Sequence, residues 1–144
     1  MPPNRAWADH ATTSLGAAGY RGGAARAAVV EYLATQSCCR TAIEIHSAVG
    51  GSRSVGLASV YRALDVLTQL RLVQRVEVGD GVARFEPAVP GGEHHHHLVC
   101  DDCGKVEAFE DPGLEQALGK VAASTGYALD GHEVLLRGAC GNCR

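Results

Sequence analysis

The sequence predicts an α+β chain: a winged helix-turn-helix with an N-terminal arm over residues 1–87, a hinge at 88–93, and a small α/β domain over 94–144 stapled by four cysteines. Three observations carry that prediction. Helical periodicity in the first half gives way to two β-prone runs around Gly79-Asp80-Gly81. Two C-x2-C pairs, Cys100/Cys103 and Cys140/Cys143, bracket the second half, and four consecutive histidines, His94 to His97, stand where the halves meet. With 144 residues divided this way, neither half buries a large core, so a metal staple or an oligomer contact is an expected supplement.

The elements follow in order. Gly22-Gly23 separates the arm from an Ala-rich helix over 24–35, with Val29, Val30 and Leu33 on one face. Thr41 begins a second, short helix, with Glu44 three residues on in capping-box spacing and Ile45, Ala48 and Val49 on the core side. A third helix starts at Ser54 or Gly56 and runs to about Leu70, burying Leu57, Val60, Leu64 and Leu67. The runs 72–78 and 82–86 then form a two-stranded hairpin. In the second half, 95–99 and 105–109 read as strands around the first cysteine pair. Residues 111–124 read as a helix with Leu114, Leu118 and Val121 inward, and 132–137 as a closing strand.

Charge divides unevenly. Residues 1–90 hold nine Lys or Arg against seven Asp or Glu, a net of about +2, whereas 91–144 hold four against nine, about −5. Only the first part offers a phosphate backbone a favourable field. In a winged helix the third helix reads DNA, and burial of its leucine face leaves Ser59, Tyr61 and Arg62 as candidate base and phosphate contacts. Arg21 and Arg26, before and within the first helix, are candidate contacts from the arm, and Arg75 and Arg84 from the wing.

The cysteine pairs, separated by 36 intervening residues, place four sulfurs where they can close a tetrahedral shell, which suits structural Zn2+. On an extended strand the histidines alternate, so His95 and His97 share one side and His94 and His96 the other. Toward the first half, Glu86 and either Cys38 or Cys39 are candidate partners of His95 and His97 for a second divalent ion. On the opposite side Glu115 and His132 can join His94 and His96. Imidazole-rich sets of this kind hold Zn2+, Fe2+, Co2+ or Ni2+.

No apolar run reaches the roughly 18 residues of a membrane span and no secretory leader is present, so a soluble cytoplasmic protein with thiols reduced and no membrane partner is expected. A metal-dependent hydrolase or deaminase is disfavoured because neither H-E-x-x-H nor H-x-E with P-C-x-x-C occurs, and no enzyme activity is expected. A zinc or iron metallochaperone remains an alternative, but it gives the hairpin, Tyr61 and Arg62 no task.

From about Gly19 to Cys143 the chain resembles the ferric uptake regulator (Fur) superfamily of bacterial metal-responsive repressors. GYRGGAARAAVVEYL resembles its first DNA-domain helix, VGLASVYRALDVLTQLRLVQRV its recognition helix and wing, and GVARFEP the wing's end. HHHHLVCDDCGKVEAFE with GHEVLLRGACGNC resembles its metal-binding and dimerisation domain. The resemblance implies a homodimer that binds a palindromic double-stranded operator when a divalent ion occupies the hinge. It maps the recognition tyrosine to Tyr61 and the arm arginine to Arg21. Structural zinc maps to Cys100, Cys103, Cys140 and Cys143, the hinge sensor to Cys39, Glu86, His95 and His97, and a further site to His94, His96, Glu115 and His132. The family usually has histidine where Cys39 stands, which favours Zn2+ over Fe2+ as the second ion, and Glu86 in place of an aspartate ranks peroxide sensing lower. Gln74 and the lack of a cysteine between Arg84 and Glu93 depart from the zinc-sensing branch.

Overall fold

The computed structural model describes residues 4–51, 55–88 and 95–144. The chain forms two compact units, Met1–Gly92 and Glu93–Arg144.

The first unit begins with a helix where an arm was expected. In α1, Arg5–Ala17, Trp7, Ala8, Ala11 and Leu15 recur at helical spacing and are all buried. The Asn4 side chain caps its start by accepting from the Trp7 amide at 3.0 Å, and the Trp7 indole donates to the Leu72 carbonyl at 2.8 Å. The expectation of a free arm missed this helix because alanines carry half of its apolar face. Next come α2, Ala24–Ala34, the two-residue strand β1, Arg40–Thr41, and α3, Ala42–Val49. Thr41 and Glu44 form the expected capping box, at 3.1 and 3.0 Å.

The fourth helix, α4, spans Leu57–Gln69 from a Gly56 N-cap, and Ser54 lies outside the described residues. Val60, Ala63, Leu64 and Leu67 are its buried face. Leu57, expected inside, is 38% exposed because it stands in the first turn, while Val55 just before the helix enters the core instead. After α4 the strands β2, Val73–Glu77, and β3, Ala83–Pro87, form the expected hairpin, with Gly79 and Gly81 supplying the positive φ that its turn needs. The sheet has three strands, not two: β1 pairs antiparallel with β3, giving the order β1-β3-β2. One core, from Trp7 to Phe85, unites all four helices and the sheet.

In the second unit β4, His96–Cys100, is central. It pairs antiparallel with β5, Val106–Phe109, and parallel with β6, Leu135–Gly138, so the order is β5-β4-β6. The helix α5, Pro112–Thr125, starts at an Asp111 cap and ends at Gly126, whose φ of 76° suits a left-handed C-cap. Val121 does not point inward as expected; it is exposed, and Ala122 is buried instead. The inward face of α5 runs through Leu118, Ala122 and Glu115, which leaves Val121 on its flank. Among the described residues no helix is long and apolar enough to cross a membrane.

Candidate functional site

Three groups of side chains bear on chemistry. In the second unit the sulfurs of Cys100, Cys103, Cys140 and Cys143 all lie within 4.8 Å of one another. The last residue of β4 is Cys100 and the turn after it presents Cys103, while the segment after β6 presents Cys140 and Cys143. Because β6 runs parallel to β4, with Cys100 opposite Gly138, both pairs arrive at the same end of the sheet. The Cys140 amide donates to the Cys100 sulfur at 3.3 Å. The N–H groups of Cys140 and Cys103 hold the Cys100 thiol down to about 6, while the sulfurs of Cys140 and Cys100 push Cys143 up to about 12. The backbone thus favours one thiolate and the crowding of sulfurs opposes another, an imbalance that a dication offsets. This donor set fits a tetrahedral Zn2+.

The second group joins β4, α5 and the segment before β6. The Nε2 atoms of His96 and His132 lie 2.6 and 2.7 Å from the two carboxylate oxygens of Glu115, and the imidazole centroids are 5.1 Å apart. His96, Glu115 and His132 offer two nitrogens and an oxygen within 4.8 Å of one another, and His94 lies outside the described residues. His97 follows His96 on β4, and the rings of His95 and His97 sit edge to face at 5.1 Å.

The third group belongs to the first unit. The sulfurs of Cys38 and Cys39 are 3.7 Å apart, and a Glu86 oxygen lies with them inside the same 4.8 Å limit. All three residues are buried. The Cys38 contact, then burial, push the Cys39 thiol above its ordinary range, and the Glu86 carboxylate adds to this. Glu86 accepts a hydrogen bond from the Gln74 side chain, its partner across the β2–β3 pairing. Sequence reading gave Gln74 no such task, although Gln74 and Glu86 stand equally far from Asp80 and a symmetric hairpin brings them face to face.

The candidate DNA contacts lie on α2, α4, the segment before α2 and the hairpin, where exposed Arg75 on β2 pairs with Glu77 at 3.0 Å. Tyr61 is 46% exposed and Arg62 is exposed, donating to the Ser59 hydroxyl at 3.1 Å. Arg21 is exposed, while Arg26 donates to the Gly22 carbonyl at 3.1 Å and lies over the Tyr20 ring. Arg84 is corrected: it is buried and paired with Asp80 at 2.9 Å, so it braces the wing and has no free guanidinium to offer a phosphate.

Residues 17–137 match the model of the ferric uptake regulator family. The chain belongs to the ferric uptake regulator family. The ferric uptake regulation protein of Bordetella parapertussis is 42% identical over 90 residues, which cover 62% of this chain and 63% of that protein. The chain therefore spans somewhat under two thirds of the length of such relatives. The peroxide operon regulator of Bacillus subtilis is 32% identical across 82% of this chain and 80% of its own length. Among solved structures, the Vibrio cholerae ferric uptake regulator superposes with a TM-score of 0.77 at 32% identity, covering 90% of this chain and 98% of that one. The Helicobacter pylori regulator shares the fold at a TM-score of 0.86 and 24% identity, over 99% and 97%.

Proposed function

We propose that this ferric uptake regulator family member is a metal-dependent transcriptional repressor that binds a palindromic operator as a homodimer. Glu86 carries the reading: β3, a strand of the wing, holds a buried carboxylate against two thiols, so metal donors and the DNA-reading scaffold share one strand. Cys39 and Glu86 from the first unit, with His95 and His97 from the second, are assigned to one regulatory ion, and Zn2+ is favoured over Fe2+ because a thiolate is among the donors. A dication bound by both units supplies positive charge and a bond between them, which favours whichever arrangement the operator selects. Cys100, Cys103, Cys140 and Cys143 hold structural Zn2+, and His96, Glu115 and His132, joined by His94, form an additional site. Tyr61, Ser59 and Arg62 read the operator from α4, with Arg21 and Arg26 as further contacts. Leu135, Leu136 and Tyr127, exposed by 37%, 47% and 74%, supply apolar surface for pairing of two copies.

The test is fluorescence anisotropy at fixed salt, using a palindrome selected from a randomised DNA pool by the zinc-loaded protein. Zinc should tighten binding of the wild type at least tenfold. His97→Ala should remain a folded dimer and lose that response. Equal affinity of wild type with and without the regulatory ion, the sulfur-bound zinc being retained in both, overturns the reading.

A further inference from the structure

We infer that Cys38 and Cys39 are both thiolate ligands of the regulatory ion, completing with Glu86 a two-sulfur, one-oxygen donor set within the winged-helix unit that selects a thiophilic dication, Zn2+ or Cd2+, over Fe2+ or Mn2+. This rests on the regulatory site proposed above and adds Cys38 to it.

Consecutive side chains on an extended backbone point to opposite sides. Here the chain bends at Ser37 and Cys38, just before β1, and both sulfurs turn to one place, 3.7 Å apart. Two sulfurs bound at 2.3 Å to one ion, with an angle near the tetrahedral value between them, stand about 3.8 Å apart. A disulfide fits worse: adjacent α-carbons lie about 3.8 Å apart across a trans peptide, under the roughly 4.4 Å lower limit of ordinary disulfides. Simple core filling fits worse as well, because a carboxylate that is 1% exposed lies with both sulfurs inside the same 4.8 Å limit. Buried charge is normally paired or bound to metal. Two thiolates and a carboxylate together carry a charge of about −3, which a dication offsets most, and sulfur donors rank Zn2+ and Cd2+ above the harder Fe2+ and Mn2+.

The full-length protein, with one zinc per chain verified at the four-cysteine cluster, is titrated with Co2+ while sulfur-to-cobalt charge-transfer absorbance is read. Wild type should develop the band, Cys38→Ser and Cys39→Ser should each keep about half of it, and the double variant should lose it. Zn2+ should displace the cobalt, and a hundredfold excess of Fe2+ under anaerobic conditions should not. A full band in Cys38→Ser with a reduced band in Cys39→Ser overturns the two-thiolate site and leaves the one-thiolate regulatory site standing. No band in wild type, or a full band in both variants, removes both. Should either variant misfold by circular dichroism, the 113Cd resonance of the wild type decides: a position typical of one sulfur or none overturns the inference.

Discussion

Trp7 shows how much one side chain can hold. It is 3% exposed, and its indole N–H reaches the Leu72 carbonyl across 65 residues of sequence, pinning α1 to the junction of α4 and β2. Trp7→Phe keeps most of the buried ring and leaves that carbonyl the Ala88 amide, which donates to it at 3.0 Å, so unfolding free energy should fall by only the worth of one hydrogen bond, about 0.5–1.5 kcal/mol, in urea titrations. Tyr61 belongs to the same scale but to function. Its ring stands out from α4 with no part in the core, so Tyr61→Ala should leave the melting temperature nearly unchanged while operator affinity drops about tenfold or more, of the order expected for losing one good base contact. Tyr61→Phe should retain the part of that affinity due to ring contact. An unchanged affinity in Tyr61→Ala would remove α4 as the reading helix. Sequence made Tyr61 legible because its neighbours Val60 and Leu64 define the opposite face. It did not make Trp7 legible as a core residue, because Ala8 and Ala11 give too little apolar contrast against the surrounding Thr and Ser.

At the scale of elements, the wing is held by its turn. Asp80, between two glycines of positive φ, accepts from the Val82 amide at 3.1 Å and pairs with Arg84. Arg84 holds the Asp80 carboxyl below its ordinary value. A carboxylate with a depressed folded value contributes stability above the unfolded value, about 3.9, and loses it as pH falls through the folded one. Asp80→Asn should therefore destabilise the protein near neutral pH, and the gap to wild type in thermal melts should narrow below about pH 4; a constant gap would assign the loss to the turn alone. Most elements were legible. The Thr41–Glu44 box fixed the start of α3, and the spacing of Val60, Leu64 and Leu67 fixed the face of α4. The strand β1 was not, since two residues carry no periodicity and their pairing with β3 depends on a contact some 44 residues away. Gln74 at the Glu86 carboxylate was legible only through the hairpin's symmetry.

For the molecule as a whole, the two units differ in what holds them. Unit one has a continuous core from Trp7 to Phe85, whereas the buried apolar residues of the second unit among those described are Val99, Cys100 and Ala122. So small a core needs a staple. Cys103→Ser, or strong chelation, should remove zinc from the four-sulfur cluster and with it the hydrogen-exchange protection of β4 and β6, while α4 amides in unit one stay protected. Retained protection at Leu136 and Arg137 in zinc-free protein would show that the sheet stands without the ion. The four cysteines were the most legible part of the sequence, since spacing alone brings each pair together, and the parallel pairing of β6 with β4 supplies the rest. The Cys38 sulfur was legible only as an alternative to Cys39, because the backbone bend that brings the two together has no signature in composition.

One consequence follows from β4, which within five residues carries His96, His97 and Cys100. Deleting Leu98 would move everything on one side of the break past its neighbours by a single pleat, misplacing donors of separate groups together. Evolution can therefore retune this rail by exchanging one residue type for another, but hardly by changing its length, whereas the stretch from Ala128 to Gly131, which contributes to none of the three groups, tolerates a change of length far better.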